Sequence, residues 1–180
     1  MCRSRHHVQT THKIRAGFTL VEILIVVIIL GILAAIVIPN FTNATQLTRE
    51  NTLHDELRFL RSQIQIYAAQ HTDTAPGYPV GGPGQGAPTF TDFVNQMTEY
   101  TQNDGGSSST ESNTYEYGPY LSQMPANPVN GLSTFTVVAD GASFPTTADG
   151  TTGFIYQPQT MQLEPNIPGN DSAGEPFISY

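Results

Sequence analysis

A chain of 180 residues has room for one domain of ordinary size and a long appendage. Its 7 Lys and Arg against 15 Asp and Glu give a formal net charge of −8 at pH 7, which excludes the basic face that nucleic-acid phosphates demand. The single cysteine, Cys2, cannot close a disulfide within the chain. Without a Walker loop, His-Glu-x-x-His, Cys-x-x-Cys or Gly-x-Ser-x-Gly, the common catalytic signatures are missing, and no enzymatic activity is expected.

The charge is unevenly spread along the chain. Arg3, Arg5, Lys13 and Arg15 precede Phe18, only Arg49, Arg58 and Arg61 follow it, and every acid lies beyond Gly17. Residues 1–17 therefore read as a basic leader, and without them the formal charge is −12. Residues 18–38 are apolar throughout except for Thr19 and Glu22, and as a helix they reach about 31 Å, enough to span a bilayer core. The basic flank predicts an amino terminus in the cytoplasm and an acidic remainder on the other side of the membrane. A secretory signal peptide has a shorter apolar core closed by small residues, and no Ala-x-Ala closes this one. A plain signal anchor gives no reason for Glu22, because a carboxylate in the bilayer costs about 3 kcal/mol and demands a partner.

The run Ala16-Gly17-Phe18-Thr19-Leu20-Val21-Glu22, with the apolar stretch behind it, resembles the amino-terminal signal of type IV pilins and type II secretion pseudopilins. The resemblance implies that a membrane-embedded prepilin peptidase cuts between Gly17 and Phe18 on the cytoplasmic side and methylates the new amine of Phe18. Glu22 then becomes the fifth mature residue. Such a cut creates a positive amine one helical turn before Glu22, and opposite charges in low dielectric attract strongly. The resemblance assigns Glu22 to register during assembly, where it neutralises the terminal amine of its own or a neighbouring subunit.

Pro39 falls where the apolar run ends, and a proline within a helix removes one hydrogen bond and bends it. Termination at Pro39 is the competing reading. Against it, Leu53, Leu57, Leu60, Ile64, Tyr67 and Ala68 recur at spacings of three and four between charged residues, which predicts an amphipathic continuation over residues 39–72 whose stripe is head core. A helix kinked at Pro39 and running to about Gln70 is the spine that the resemblance implies.

Residues 73–180 form the expected head. Residues 75–88 read as a Gly- and Pro-rich connector without the lysine of a phosphate-binding loop. Thr89-Phe90-Thr91-Asp92 matches a capping box and opens a short helix to about Thr101, and residues 104–114 read as an exposed loop. Tyr117-Gly118-Pro119-Tyr120-Leu121 and Asn127-Pro128-Val129-Asn130-Gly131 resemble the loop before the sheet in major, G-type pseudopilins. Residues 134–139, 153–157 and 160–163 are the strand candidates of a small antiparallel sheet, with an irregular tail beyond Glu164. The fold class is thus α+β: a long kinked amino-terminal helix, half transmembrane and half amphipathic, on a head with a short helix and a small sheet.

His54 and His71 are the two histidines after Gly17 and are expected on the surface of the spine. The resemblance further implies a calcium ion in the carboxy-terminal loop. Asp171, Ser172, Glu175, Asp140 and Asp149 offer oxygens, but the closely spaced Asp pair of the resembled class is not evident and no ligands are assigned. The function implied is a structural subunit of a type II secretion pseudopilus at the bacterial inner membrane. Its partners would be copies of itself, minor pseudopilins, the prepilin peptidase, an inner-membrane assembly platform and, before assembly, membrane lipid. A type IV pilin for adhesion, motility or DNA uptake, or a membrane-anchored binding module, is the alternative.

Overall fold

A computed structural model describes residues 17–180, excepting the side chains of residues 39–43. The basic leader thus lies outside the described residues, apart from Gly17. The chain divides into two compact units, one ending at Asn43 and the other spanning Ala44–Tyr180.

Helix α1 covers Leu20–Gln70. In its first part every Leu, Ile and Val from Leu20 to Ile38 stands exposed, and this stretch has a mean hydropathy of 3.3 with nothing buried within the chain. So continuous an apolar surface has no stable place in water and requires lipid or other protein around it. From residue 44 onward the pattern changes. Leu53, Leu57, Leu60, Ile64 and Tyr67 are buried at alternating intervals of four and three, while Arg49, Asp55 and Arg58 face solvent. The helix closes as the Asp73 amide donates to the Ala68 carbonyl, with Thr72 and Asp73 in left-handed conformations.

Helix α2, Phe90–Thr98, starts as expected: the Thr89 side chain accepts from the Asp92 amide at 3.0 Å and donates to the Asp92 carboxylate at 2.6 Å. It buries Phe93, Gln96 and Met97. It stops short of Thr101, because Tyr100–Thr101 form β1, antiparallel to β2, Ser107–Ser108, and Thr101 also exchanges both backbone hydrogen bonds with Tyr117. The loop expected over residues 104–114 therefore contributes a short strand. The connector over residues 75–88 is tucked down in its first half, where Tyr78 is buried and donates its hydroxyl to Asp140.

The main sheet comprises β3, Phe135–Val137, β4, Phe154–Gln157, and β5, Gln162–Pro165, in the order β3-β4-β5. The β4–β5 pair is antiparallel, with Ile155 opposite Glu164. The 3-10 turn Pro158–Thr160 and Met161 at φ 55° shift β5 two residues past its expected start. β3 pairs with β4 in parallel, Phe135 opposite Phe154, because residues 138–153 carry the chain back to the same end. Gly153 lies where β4 begins, and a Cβ there would sit 2.1 Å from the Leu132 carbonyl oxygen. Asn127, fully buried, donates to the Gly153 carbonyl and accepts from the Val129 amide, so the Asn-Pro-Val-Asn-Gly loop is a structural clasp for the sheet.

The α1 stripe, Phe93, Met97, Phe135, Phe154, Tyr156 and Leu163 form one core, joined by Ile167 and Phe177 from the tail. Each such side chain contributes about 1.5 to 3 kcal/mol on burial. The tail is irregular apart from the 3-10 turn Phe177–Ser179, and it is anchored at Asn166, Ile167 and Phe177, which are buried, while residues 172–176 are exposed.

Candidate processing and assembly site

Gly17, Phe18 and Thr19 precede the first helical residue and are exposed, Phe18 to 79 %, and nothing stands within 4 Å of a Cβ placed on Gly17. The Gly17–Phe18 bond thus has the exposure and irregular backbone that proteolysis favours. Helix α1 then opens with a reciprocal cap. The Glu22 amide donates to the Thr19 hydroxyl oxygen at 3.2 Å, and the Thr19 amide donates to the Glu22 carboxylate at 3.4 Å. Two of the helix's orphan donors are satisfied, and the carboxylate sits beside the helix's positive end. Sequence reading gave Glu22 an electrostatic part and missed Thr19, although Thr-x-x-Glu before an apolar run is the signature of this cap. Glu22 is thereby bonded to the Thr19 amide, one residue beyond the amine that cleavage would create on Phe18.

Pro39 lies within α1 and does not terminate it. Its side chain falls outside the described residues, so the expected bend there is not described.

The two histidines part company. His54 is half-buried and stacks on Tyr180, with ring centroids 3.8 Å apart. His71, expected at the surface, is 1 % exposed. It stacks on Tyr67, donates from Nδ1 to the Tyr67 carbonyl and accepts at Nε2 from the Thr101 hydroxyl. Burial lowers its pKa below the ordinary value, against the pull of the Tyr67 hydrogen bond and Asp104. Among the described residues no buried side-chain polar atom lacks a partner. The hollow lined by Tyr67, His71, Thr74 and Gln96 therefore has its buried polar groups already matched.

Three of the acids considered for calcium, Asp140, Asp149 and Asp171, are held by protein donors. Asp149 accepts from the Thr151 amide and hydroxyl and from Asn166, which lowers its pKa. Asp171 accepts the Tyr180 hydroxyl and the amides of Ala173 and Glu175, and its pKa falls chiefly through Tyr180. Among the described residues no three His, Cys, Asp or Glu side chains gather where a metal ion could sit. Sequence reading also missed Glu50, a carboxylate only 5 % exposed that receives both the amide and the hydroxyl of Ser172.

Comparison with known proteins finds a family model and several relatives. The family described as the prokaryotic N-terminal methylation motif matches residues 12–38. The type IV narrow pilus major component PilA5 of Thermus thermophilus is 33 % identical over 87 residues, 46 % of this chain and 74 % of that protein. Type II secretion system core protein G of Aeromonas hydrophila is 26 % identical over 114 residues, 63 % of this chain and 67 % of its own length. The core protein G of Dickeya chrysanthemi is 34 % identical over 71 residues, 39 % of this chain and 44 % of its own. No solved structure matches the chain.

Proposed function

This chain belongs to the type IV pilin-like proteins, and from that premise we propose that it is a structural subunit of a type II secretion pseudopilus. The observation that carries the reading is the first part of α1: an apolar surface wholly exposed in the single chain, with one carboxylate, Glu22, just beyond an accessible Gly17–Phe18 bond. An isolated subunit has to store this surface in lipid, and a filament of like subunits covers it with copies of itself. The core protein G relatives of Aeromonas and Dickeya support the secretion assignment.

In this reading prepilin peptidase removes residues 1–17 and Phe18 becomes the N-methylated first residue. The subunit waits in the inner membrane with its amino terminus in the cytoplasm and its acidic head outside. An assembly platform then feeds it into a filament that also takes minor pseudopilins. Glu22 sets the register by meeting a terminal amine, and Pro39 supplies a bend in the spine. The head is a structural body without enzymatic activity or affinity for nucleic acid.

The deciding experiment is the intact mass and amino-terminal residue of the protein from its own membranes. N-methyl-Phe18 as first residue supports the reading; a chain that retains residues 1–17, or is cut near Ala44, overturns it. A pilus major component is the second reading, favoured by the Thermus relative. Deletion separates the two: a pseudopilin loses exported proteins from the medium, a pilin loses surface filaments.

A further inference from the structure

Pseudopilins of the class this chain resembles hold calcium in the carboxy-terminal loop, and here the loop residues do not fit that ion. Calcium takes six to eight oxygens whose lone pairs face inward. In this loop both carboxylate oxygens of Asp171 face the protein's own N–H and O–H groups, and Glu175 is exposed, with no three His, Cys, Asp or Glu side chains gathered to share an ion among the described residues. One oxygen of Asp171 accepts the amides of Ala173 and Glu175, each at 2.8 Å, and the other accepts the Tyr180 hydroxyl at 2.7 Å. The Glu175 carbonyl accepts from the Asp171 amide, and the Gly174 carbonyl accepts from Asn170. Ser172 donates both its amide and its hydroxyl to Glu50, which ties the residue to α1. Asp140 and Asp149, the other acids considered, accept from Tyr78 and from Thr151 and Asn166.

The same segment is fastened to one face of α1. Glu50 receives Ser172 on both carboxylate oxygens, with Gln46 completing its shell; His54 stacks on the Tyr180 ring; Arg61 donates to the Leu163 carbonyl, the Glu164 carboxylate and the main-chain oxygen of Tyr180. Below these contacts Phe177 is buried in the core. A carboxylate as buried as Glu50 is tolerable only when fully hydrogen-bonded, and the loop supplies two of its three bonds, so the helix needs the loop as the loop needs the helix.

We infer that the carboxy-terminal loop is held without calcium, by a latch in which Glu50, His54 and Arg61 of α1 grip Ser172 and Tyr180 while Asp171 closes the loop on Tyr180. The latch does the work that a cation would otherwise do: it fixes a Gly- and Asn-containing loop against the spine.

The test is thermal unfolding of the full chain in detergent, followed by near-ultraviolet circular dichroism, with chelator and with added calcium. Proteolysis of residues 166–180 is followed in parallel. The wild-type midpoint is expected to agree in the two media to within about 1 °C, and Glu50→Gln and Tyr180→Phe are each expected to lower it by about 3 to 8 °C in both. Both variants should also release the tail to protease about tenfold faster. Tyr180→Phe keeps the ring on His54 and removes one hydroxyl, so it guards against a variant that fails to fold. A calcium-dependent rise in the wild type that disappears in Asp171→Asn overturns the inference. So does a calcium-indifferent protein in which neither Glu50→Gln nor Tyr180→Phe changes the midpoint or the proteolysis.

Discussion

Glu22 in the single chain already has a partner, the Thr19 amide, so its cost in the apolar segment is reduced before any neighbour arrives. Glu22→Ala is therefore expected to leave the protein in the membrane and to cut the yield of sedimentable filament about tenfold or more; unchanged yield would remove Glu22 from assembly. His71 belongs to a different balance. Its folded pKa is depressed by burial, so the unfolded chain takes up the proton first, and stability is full above about pH 6.5 and lost as pH falls below that value. Urea unfolding at about pH 7.5 and 5.5 should show a lower midpoint at the acid pH, with a smaller drop in His71→Gln. The comparison isolates the histidine, because Glu164, raised by its own burial, titrates with the opposite sign in both proteins. Asp171 and Asp149, lowered by hydrogen bonds, lose their contribution only below about pH 4.

At the scale of elements, the α1 stripe is the strongest lever. Leu57 is fully buried in the core, and Leu57→Ala should destabilise the Ala44–Tyr180 unit by about 2 to 5 kcal/mol, read from denaturant unfolding. That stripe was legible because spacings of three and four project onto one helix face, and α2 was legible because Thr89 and Asp92 announce its start. What the sequence concealed depends on distant chain. His71 is buried because Thr101, Tyr117 and Tyr120 close over it from beyond α2. β3 runs parallel because residues 138–153 return to the same end, a length that single-residue preferences do not specify. The tail lacked periodicity, and its two anchors, Phe177 and Tyr180, are isolated aromatics that only the spine gives meaning. At the candidate processing site, Gly17, Phe18 and Glu22 stood out from motif alone, whereas Thr19 went unnoticed because one side chain serves both the motif and the cap.

As a whole molecule the chain beyond Gly17 carries a formal charge of −12, with Arg49, Arg58 and Arg61 as its basic side chains. Arg61 is spent within the head on Glu164. Copies brought side by side repel, and screening shortens that repulsion to about 8 Å at 0.15 M salt. The sedimentable fraction of purified subunits should therefore rise as salt is raised toward about 0.15 M, and a fraction that falls would argue for attractive charge contacts between heads. The cap at Thr19 has a further consequence for how a filament behaves in time. If Glu22 leaves its own chain's amide to meet a neighbour's amine, joining replaces a 3.4 Å hydrogen bond from a neutral amide by an ion pair, and the electrostatic gain per added subunit is that pair less the cap. The cap then acts as a hold that a positive amine releases: a subunit keeps its carboxylate satisfied in the membrane until a neighbour's terminus displaces the Thr19 amide.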